Sequence, residues 1–116
     1  MQITLPHPPA ALSPNGNRCH WARVSAARKQ ARQLAAIATE AQLLLTPLTT
    51  TPTTYSITWN HYGTIQPDDD NVIARIKSYK DGICDALGIN DRTLRLAGLT
   101  FIRDKASKKT LTITIV

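Results

Sequence analysis

Polar and apolar residues alternate in two stretches of this chain and recur at helical spacing in two others. Residues 54–59 set Tyr55, Ile57 and Trp59 on one face and Thr54, Ser56 and Thr58 on the other. Residues 109–116 repeat the pattern, with Leu111, Ile113 and Ile115 against Thr110, Thr112 and Thr114. A period of two is that of a strand with one buried face. Residues 2–5, closed by Pro6, Pro8 and Pro9, predict a further short strand, and residues 94–103 another, with 104–108 as a hairpin loop between the last two strands. Ala27, Ala31, Leu34, Ala38, Ala41 and Leu45 recur at intervals of three and four, which predicts a helix from a Ser25 cap to about Leu45, closed by Pro47. Val72, Ile73, Ile76, Tyr79, Ile83 and Leu87 mark a second helix that Gly88 can stop. The order β-α-β-α-β-β predicts a single α+β domain spanning residues 1–116, with two main helices packed on one mixed sheet.

Charge narrows the partners. Lysine and arginine outnumber aspartate and glutamate 14 to 8, a formal charge of +6. Such a balance favours a phosphate backbone over an acidic protein. Cys19 and Cys84 stand far apart and form no CxxC pair or zinc-type spacing, which fits a reducing compartment. No stretch approaches the roughly 20 apolar residues of a membrane span, so the expectation is a cytoplasmic protein with no membrane partner.

Against that basic background, six of the eight acidic residues fall between positions 68 and 91, three of them consecutive in Pro67-Asp68-Asp69-Asp70-Asn71. One carboxylate there is explained as a helix cap, because it accepts orphan backbone N–H groups and faces the positive end of the dipole. Three adjacent carboxylates go further, since like charges repel unless a cation sits between them. In an extended segment Asp68 and Asp70 point one way and Asp69 the other, which makes Asp68 and Asp70 the better metal pair. Asp91 lies past the far end of the helix and joins them only if dimerisation or the returning chain brings it there.

These residues resemble a known family. The run Pro67-Asp68-Asp69-Asp70-Asn71, then Asp85-Ala86-Leu87, then Gly88-Ile89-Asn90-Asp91, is similar to the D-x-D-N … D-A-L … D-D signature of the RusA-type Holliday-junction resolvases of phages and prophages. Leu5-Pro6, Pro8-Pro9, Asn17-Arg18 and Val24-Ser25 are similar to the first half of the same family. The resemblance implies a homodimeric endonuclease that binds a four-way DNA junction and, with Mg²⁺ (Mn²⁺ being able to substitute), nicks two strands symmetrically in recombination and repair. It implies Asp68, Asp70 and Asp91 as the catalytic, metal-binding carboxylates, with Asn71 supporting them and Asp69 solvated. One departure stands out: the family pattern carries a lysine three residues after the asparagine, and Ala74 occupies that position. Lys77, seven residues beyond Asp70 on nearly the same helix face, is the candidate catalytic replacement, and Lys80 its competitor; an i,i+4 pair of Lys77 with Asp81 is the plain alternative.

The basic residues that precede the first acid give a candidate DNA surface comprising Asn17, Arg18, Arg23, Arg28, Lys29 and Arg32, with Trp21 available to stack on an unpaired base or to cover a dimer core. Lys105, Lys108 and Lys109 could add phosphate contacts or keep a strand edge soluble. His7, His20 and His61 show no ligand spacing. A nuclease for other branched DNA, and a DNA-binding protein of the same fold without the chemistry, are the alternative readings.

Overall fold

The computed structural model describes residues 1–14, 20–64, 66–106 and 109–116. The strands are β1 (Gln2–Pro6), β2 (Thr54–His61), β3 (Arg95–Arg103) and β4 (Thr110–Ile115); the helices are α1 (Trp21–Leu45), α2 (Asp69–Arg75) and α3 (Lys77–Leu87), with 3-10 turns at Ala10–Leu12 and Asp91–Thr93. The class is α+β, as the two periods predict. The four strands make one mixed sheet in the order β1-β4-β2-β3, with β4 antiparallel to β1 and β2, and β3 parallel to β2.

The alternating residues do what their period requires. Ile3, Ile113 and Ile57 lie abreast across the three strands, as do Leu5, Leu111 and Trp59. All six are buried in a core completed by Ala31 and Ala35 of α1 and by Val72, Ile76, Tyr79, Ile83 and Cys84 of α2 and α3. Each such aliphatic side chain contributes about 1.5–3 kcal/mol through removal from water. The opposite sheet face carries the threonines and stays partly exposed, with the hydroxyls of Thr4 and Thr112 at 3.3 Å.

The expected hairpin does not form. β2 lies between β3 and β4, so the chain leaves β3 and re-enters the sheet two places away. Loop length suits a hairpin but does not choose a partner. Burial does: Tyr55, Ile57 and Trp59 are all enclosed and need neighbours on both sides, whereas Leu99 and Phe101 of β3 are only partly buried and tolerate an edge.

α1 begins four residues before the expected cap. His20 takes that role, its Nδ1 accepting from the Ala22 amide at 3.3 Å, and Ser25 sits exposed inside the helix. The buried face also differs from the expected stripe: Val24, Ala31, Ala35 and Thr39 point inward, the Thr39 hydroxyl donating to the Ala35 carbonyl at 2.7 Å. Small residues on this face let α3 approach closely. At Gly82 a Cβ would stand 2.1 Å from the Arg32 carbonyl oxygen, so only glycine fits there.

The second predicted helix is divided at Ile76, whose φ of −87° and ψ of −3° lie at the edge of the right-handed helical region between α2 and α3. Gly88 does end α3, in the left-handed conformation at φ 68°; the amides of Gly88 and Ile89 donate to the Asp85 and Cys84 carbonyls.

Candidate functional site

The acidic run straddles the start of α2. Asp68 is extended at φ −66° and ψ 141°, while Asp69 and Asp70 already belong to the first helical turn. The alternation expected of an extended segment therefore does not separate Asp69 from its neighbours. All three carboxylates are exposed, and together with Asn71 and Pro14 they line one open cavity of about 550 Å³. Asp68 occupies the N-cap position, yet its side chain makes no capping hydrogen bond. The plain capping explanation is thus not realised at the residue best placed for it.

Three hydrogen bonds tie the segment after β1 to α2 and α3. The Ser13 hydroxyl donates to Asn71 Oδ1 at 2.8 Å, the Tyr79 hydroxyl donates to the Pro6 carbonyl at 2.9 Å, and the Arg75 guanidinium donates to the Pro8 carbonyl. Residues 6–14 are thereby held across α2 and α3. Through its Oδ1, Asn71 is tied to this segment at Ser13. Arg75 also lies over the Trp59 ring at 5.3 Å, and His7 stacks on Trp59 at 4.1 Å with its Nε2–H donating to the Asn60 carbonyl at 2.7 Å. Burial lowers the His7 pKa below its ordinary value, the nearby Arg75 charge adding to the effect. His61 only closes a turn, its ring nitrogen bonded to the Gly63 carbonyl.

Lys77 and Asp91 meet, but away from the acidic run. Lys77 Nζ donates to Asp81 Oδ1 at 2.8 Å and to Asp91 Oδ2 at 3.3 Å. The bond to Asp81, and then that to Asp91, raises the Lys77 pKa, and Lys77 in turn lowers that of Asp91. Asp91 opens the 3-10 turn that Asn90 caps, and it lines a second cavity with Arg32, Lys77, Asp81 and Asp85. One chain therefore does not bring Asp91 into the cavity of Asp68 and Asp70. Among the described residues no group of three or more His, Cys, Asp or Glu side chains is arranged to hold a metal ion.

The competing lysine is elsewhere. Lys80 reaches over the Tyr55 ring at 5.3 Å, whereas Lys77 pairs with Asp81 and Asp91. Ala74 shares a cavity with Lys77, Arg28 and Asp81, one helical turn from Asp70.

The basic residues of α1 come alongside. Arg28, Lys29 and Arg32 line a cleft with Ser78 and Asp81 of α3. Two of the Arg32 donors are already engaged: its Nε and Nη2 donate to the two oxygens of Asp85 at 2.6 and 2.8 Å. This bidentate pair pulls the Asp85 pKa down and the Arg32 pKa up. Both partners are about half exposed, so the pair contributes about 0–1 kcal/mol to stability and acts mainly on orientation. The Asp85–Arg32 contact was missed by the sequence reading, because the two residues are 53 positions apart and no local spacing links them. Arg23 is exposed in the first turn of α1, next to Trp21, which is 76% exposed. Asn17 and Arg18, and also Cys19 and Lys108, lie outside the described residues.

In donor chemistry the acidic cavity suits a hard cation. Mg²⁺ commonly binds oxygen through one or two protein carboxylates, with water and substrate phosphate completing its shell.

No protein-family model matches the chain. A protein of Xylella fastidiosa, named only as uncharacterized, is 39% identical over 127 aligned positions that take in 97% of this chain and 74% of the relative.

Proposed function

We propose, for a chain that belongs to one family with that Xylella protein, the activity of a RusA-like, metal-dependent endodeoxyribonuclease acting on four-way DNA junctions. The observation that carries the reading is the acidic cavity: three exposed carboxylates, the first of them at an N-cap without a capping bond, line one open cavity in a protein of net charge +6. A strongly basic surface draws in the phosphate backbone, and the carboxylates need a cation before that backbone can approach.

In this reading Asp68 and Asp70 would hold Mg²⁺, or Mn²⁺ in its place, which when bound would supply Lewis-acid activation of water and charge neutralisation at the phosphate. Asn71 keeps the segment in place through Ser13. Lys77, fully protonated beside Asp81 and Asp91, offers a fixed positive charge to the cleaved strand. Arg23, Arg28 and Lys29 contact the backbone, Arg32 does so from its position on Asp85, and Trp21 is exposed for stacking on an unpaired base. Asp91 acts on Lys77, or joins the metal in a homodimer that brings the two cavities of different chains together. Paired symmetric incision also asks for two sites related by a twofold axis. The setting is cytoplasmic recombination and repair.

The test is incubation of the protein with an end-labelled four-way junction in Mg²⁺ or EDTA, beside Asp70→Asn and a linear duplex. Paired nicks confined to wild type, junction and metal are expected, with Asp70→Asn still binding but losing roughly 10²-fold or more of the cleavage rate. Tight junction binding without cleavage in either Mg²⁺ or Mn²⁺ would reject the enzyme in favour of a binding protein, the reading that Ala74 favours. Equal cleavage of flaps and junctions would move the substrate to branched DNA in general.

A further inference from the structure

We propose that residues 7–14 form a strap that His7 latches over Trp59, and that acid releases this strap before the rest of the fold opens.

The strap follows from its prolines. Pro8 and Pro9 carry no amide hydrogen, so the β1 ladder cannot run on past His7, whose N–H donates to the Lys109 carbonyl at 2.9 Å. Beyond it the strap makes no backbone bond to another element among the described residues; the Leu12 and Ser13 amides reach back only to the Pro9 and Ala10 carbonyls. Side chains hold the rest. Arg75 donates to the Pro8 carbonyl, the Ser13 hydroxyl to Asn71, and the His7 Nε2–H to the Asn60 carbonyl at 2.7 Å. A segment attached in this way opens at a lower free energy than the sheet and helices beneath it.

His7 is the contact that acid changes. Its ring stacks on Trp59 at 4.1 Å, and Trp59 is only 2% exposed. The charges that face the ring are Arg75 of α2 and Lys109 just before β4, both positive. From α3 comes Tyr79, its hydroxyl on the Pro6 carbonyl; β2 offers the Asn60 carbonyl, and His61 is bonded to Gly63. Among the described residues no carboxylate faces the ring. Burial is the main obstacle to a charged imidazole, and the two cations add to it; the Asn60 and Thr110 carbonyls oppose them without reversing the balance. Arg75 sharpens the conflict, because its guanidinium lies over Trp59 at 5.3 Å and its buried Nε has no hydrogen-bond partner. The closed strap therefore already encloses one incompletely paired cation and resists a second. Once lifted, the ring meets water and takes a proton near its ordinary 6.5, so the latch is complete above that pH and weakens below it. Ser13 and Pro14 carry the effect to the wall of the acidic cavity.

The strap is independent of nuclease activity, since its test reads amide exchange and one tryptophan. Hydrogen exchange on the full chain is followed by NMR from about pH 7.5 to about pH 5, corrected for intrinsic rates. It compares the His7 N–H with that of Lys80, which donates to the Ile76 carbonyl. The His7 amide is expected to lose protection by up to about thirtyfold, the ceiling for a ring of ordinary pKa 6.5 that stays neutral in the closed strap, while Lys80 keeps its own. In Trp21→Phe, which leaves Trp59 as the one tryptophan, acrylamide quenching should rise over the same interval. His7→Phe should keep the strap closed throughout. Equal His7 protection at both ends of the range, a loss that Lys80 shares, or a dependence that survives in His7→Phe would overturn the proposal. If that variant folds poorly, titration of the wild-type His7 ring decides, and a midpoint at or above 6.5 would also overturn it.

Discussion

Gly82→Ala tests the packing on which the basic side of the site depends. The added methyl would lie 2.1 Å from the Arg32 carbonyl oxygen, 3.0 Å from its carbonyl carbon and 3.1 Å from the Ala35 Cβ. The first distance is roughly 1.3 Å short of ordinary contact, and the obstacle is backbone that cannot rotate away. α1 and α3 must separate instead, loosening Ala31, Ala35, Ile83 and Cys84, which they bury between them and the sheet. Overpacking of this kind costs about 3 kcal/mol. The better helix propensity of alanine returns about 1 kcal/mol, leaving a net loss of about 2 kcal/mol. For a chain of this size that lowers Tm by about 8–10 °C, read by circular dichroism or calorimetry. Gly98→Ala is the control, since a Cβ there meets nothing within 4 Å and should change Tm little. A Gly82→Ala protein as stable as wild type, or more stable, would refute the close approach of the two helices. Because Arg32 lies at the point of contact, the same variant should weaken DNA binding under the nuclease proposal.

Two further outcomes follow from the site. Lys77→Ala removes an ammonium that is 60% exposed, so urea stability should change by no more than about 1 kcal/mol; junction cleavage should fall roughly 10²-fold with binding nearly kept, and unimpaired cleavage would remove Lys77 from the chemistry. His7 has a pKa below its ordinary 6.5 in the folded chain, so below pH 6.5 the unfolded state binds the extra proton first. Its contribution to stability is complete above that pH and declines as pH falls through the folded pKa, and His7→Phe, which keeps a ring on Trp59, should flatten urea stability across that window. An unchanged slope in the variant would assign the dependence to another group.

What the sequence disclosed and what it hid divide by range. Ile57 and Ile113 announce their buried face through their immediate neighbours, because a strand's alternation is a local property, and Gly88 marks its helix end by a backbone angle other residues resist. Helix limits were less legible where two residues could cap: His20 captured the start of α1 ahead of Ser25. The placement of β2 between β3 and β4 depends on which strand needs two covered edges, which loop length does not encode.

The candidate site follows the same division. The grouping of Asp68, Asp69 and Asp70 is local and readable, but the different surroundings of Lys77 and Lys80 are not. Helical spacing allows either lysine to be considered; Tyr55 on β2 draws Lys80 aside, and Asp91, delivered by the turn after Gly88, takes Lys77. The interruption at Ile76 matters for the same reason, since it separates the helix that starts at Asp69 from the one that presents Lys77. α1 is the inverse case. Its apolar residues outnumber those the sheet and α3 cover, so local periodicity marks more of the helix as apolar than the fold buries, and Ile37 and Leu44 stay exposed.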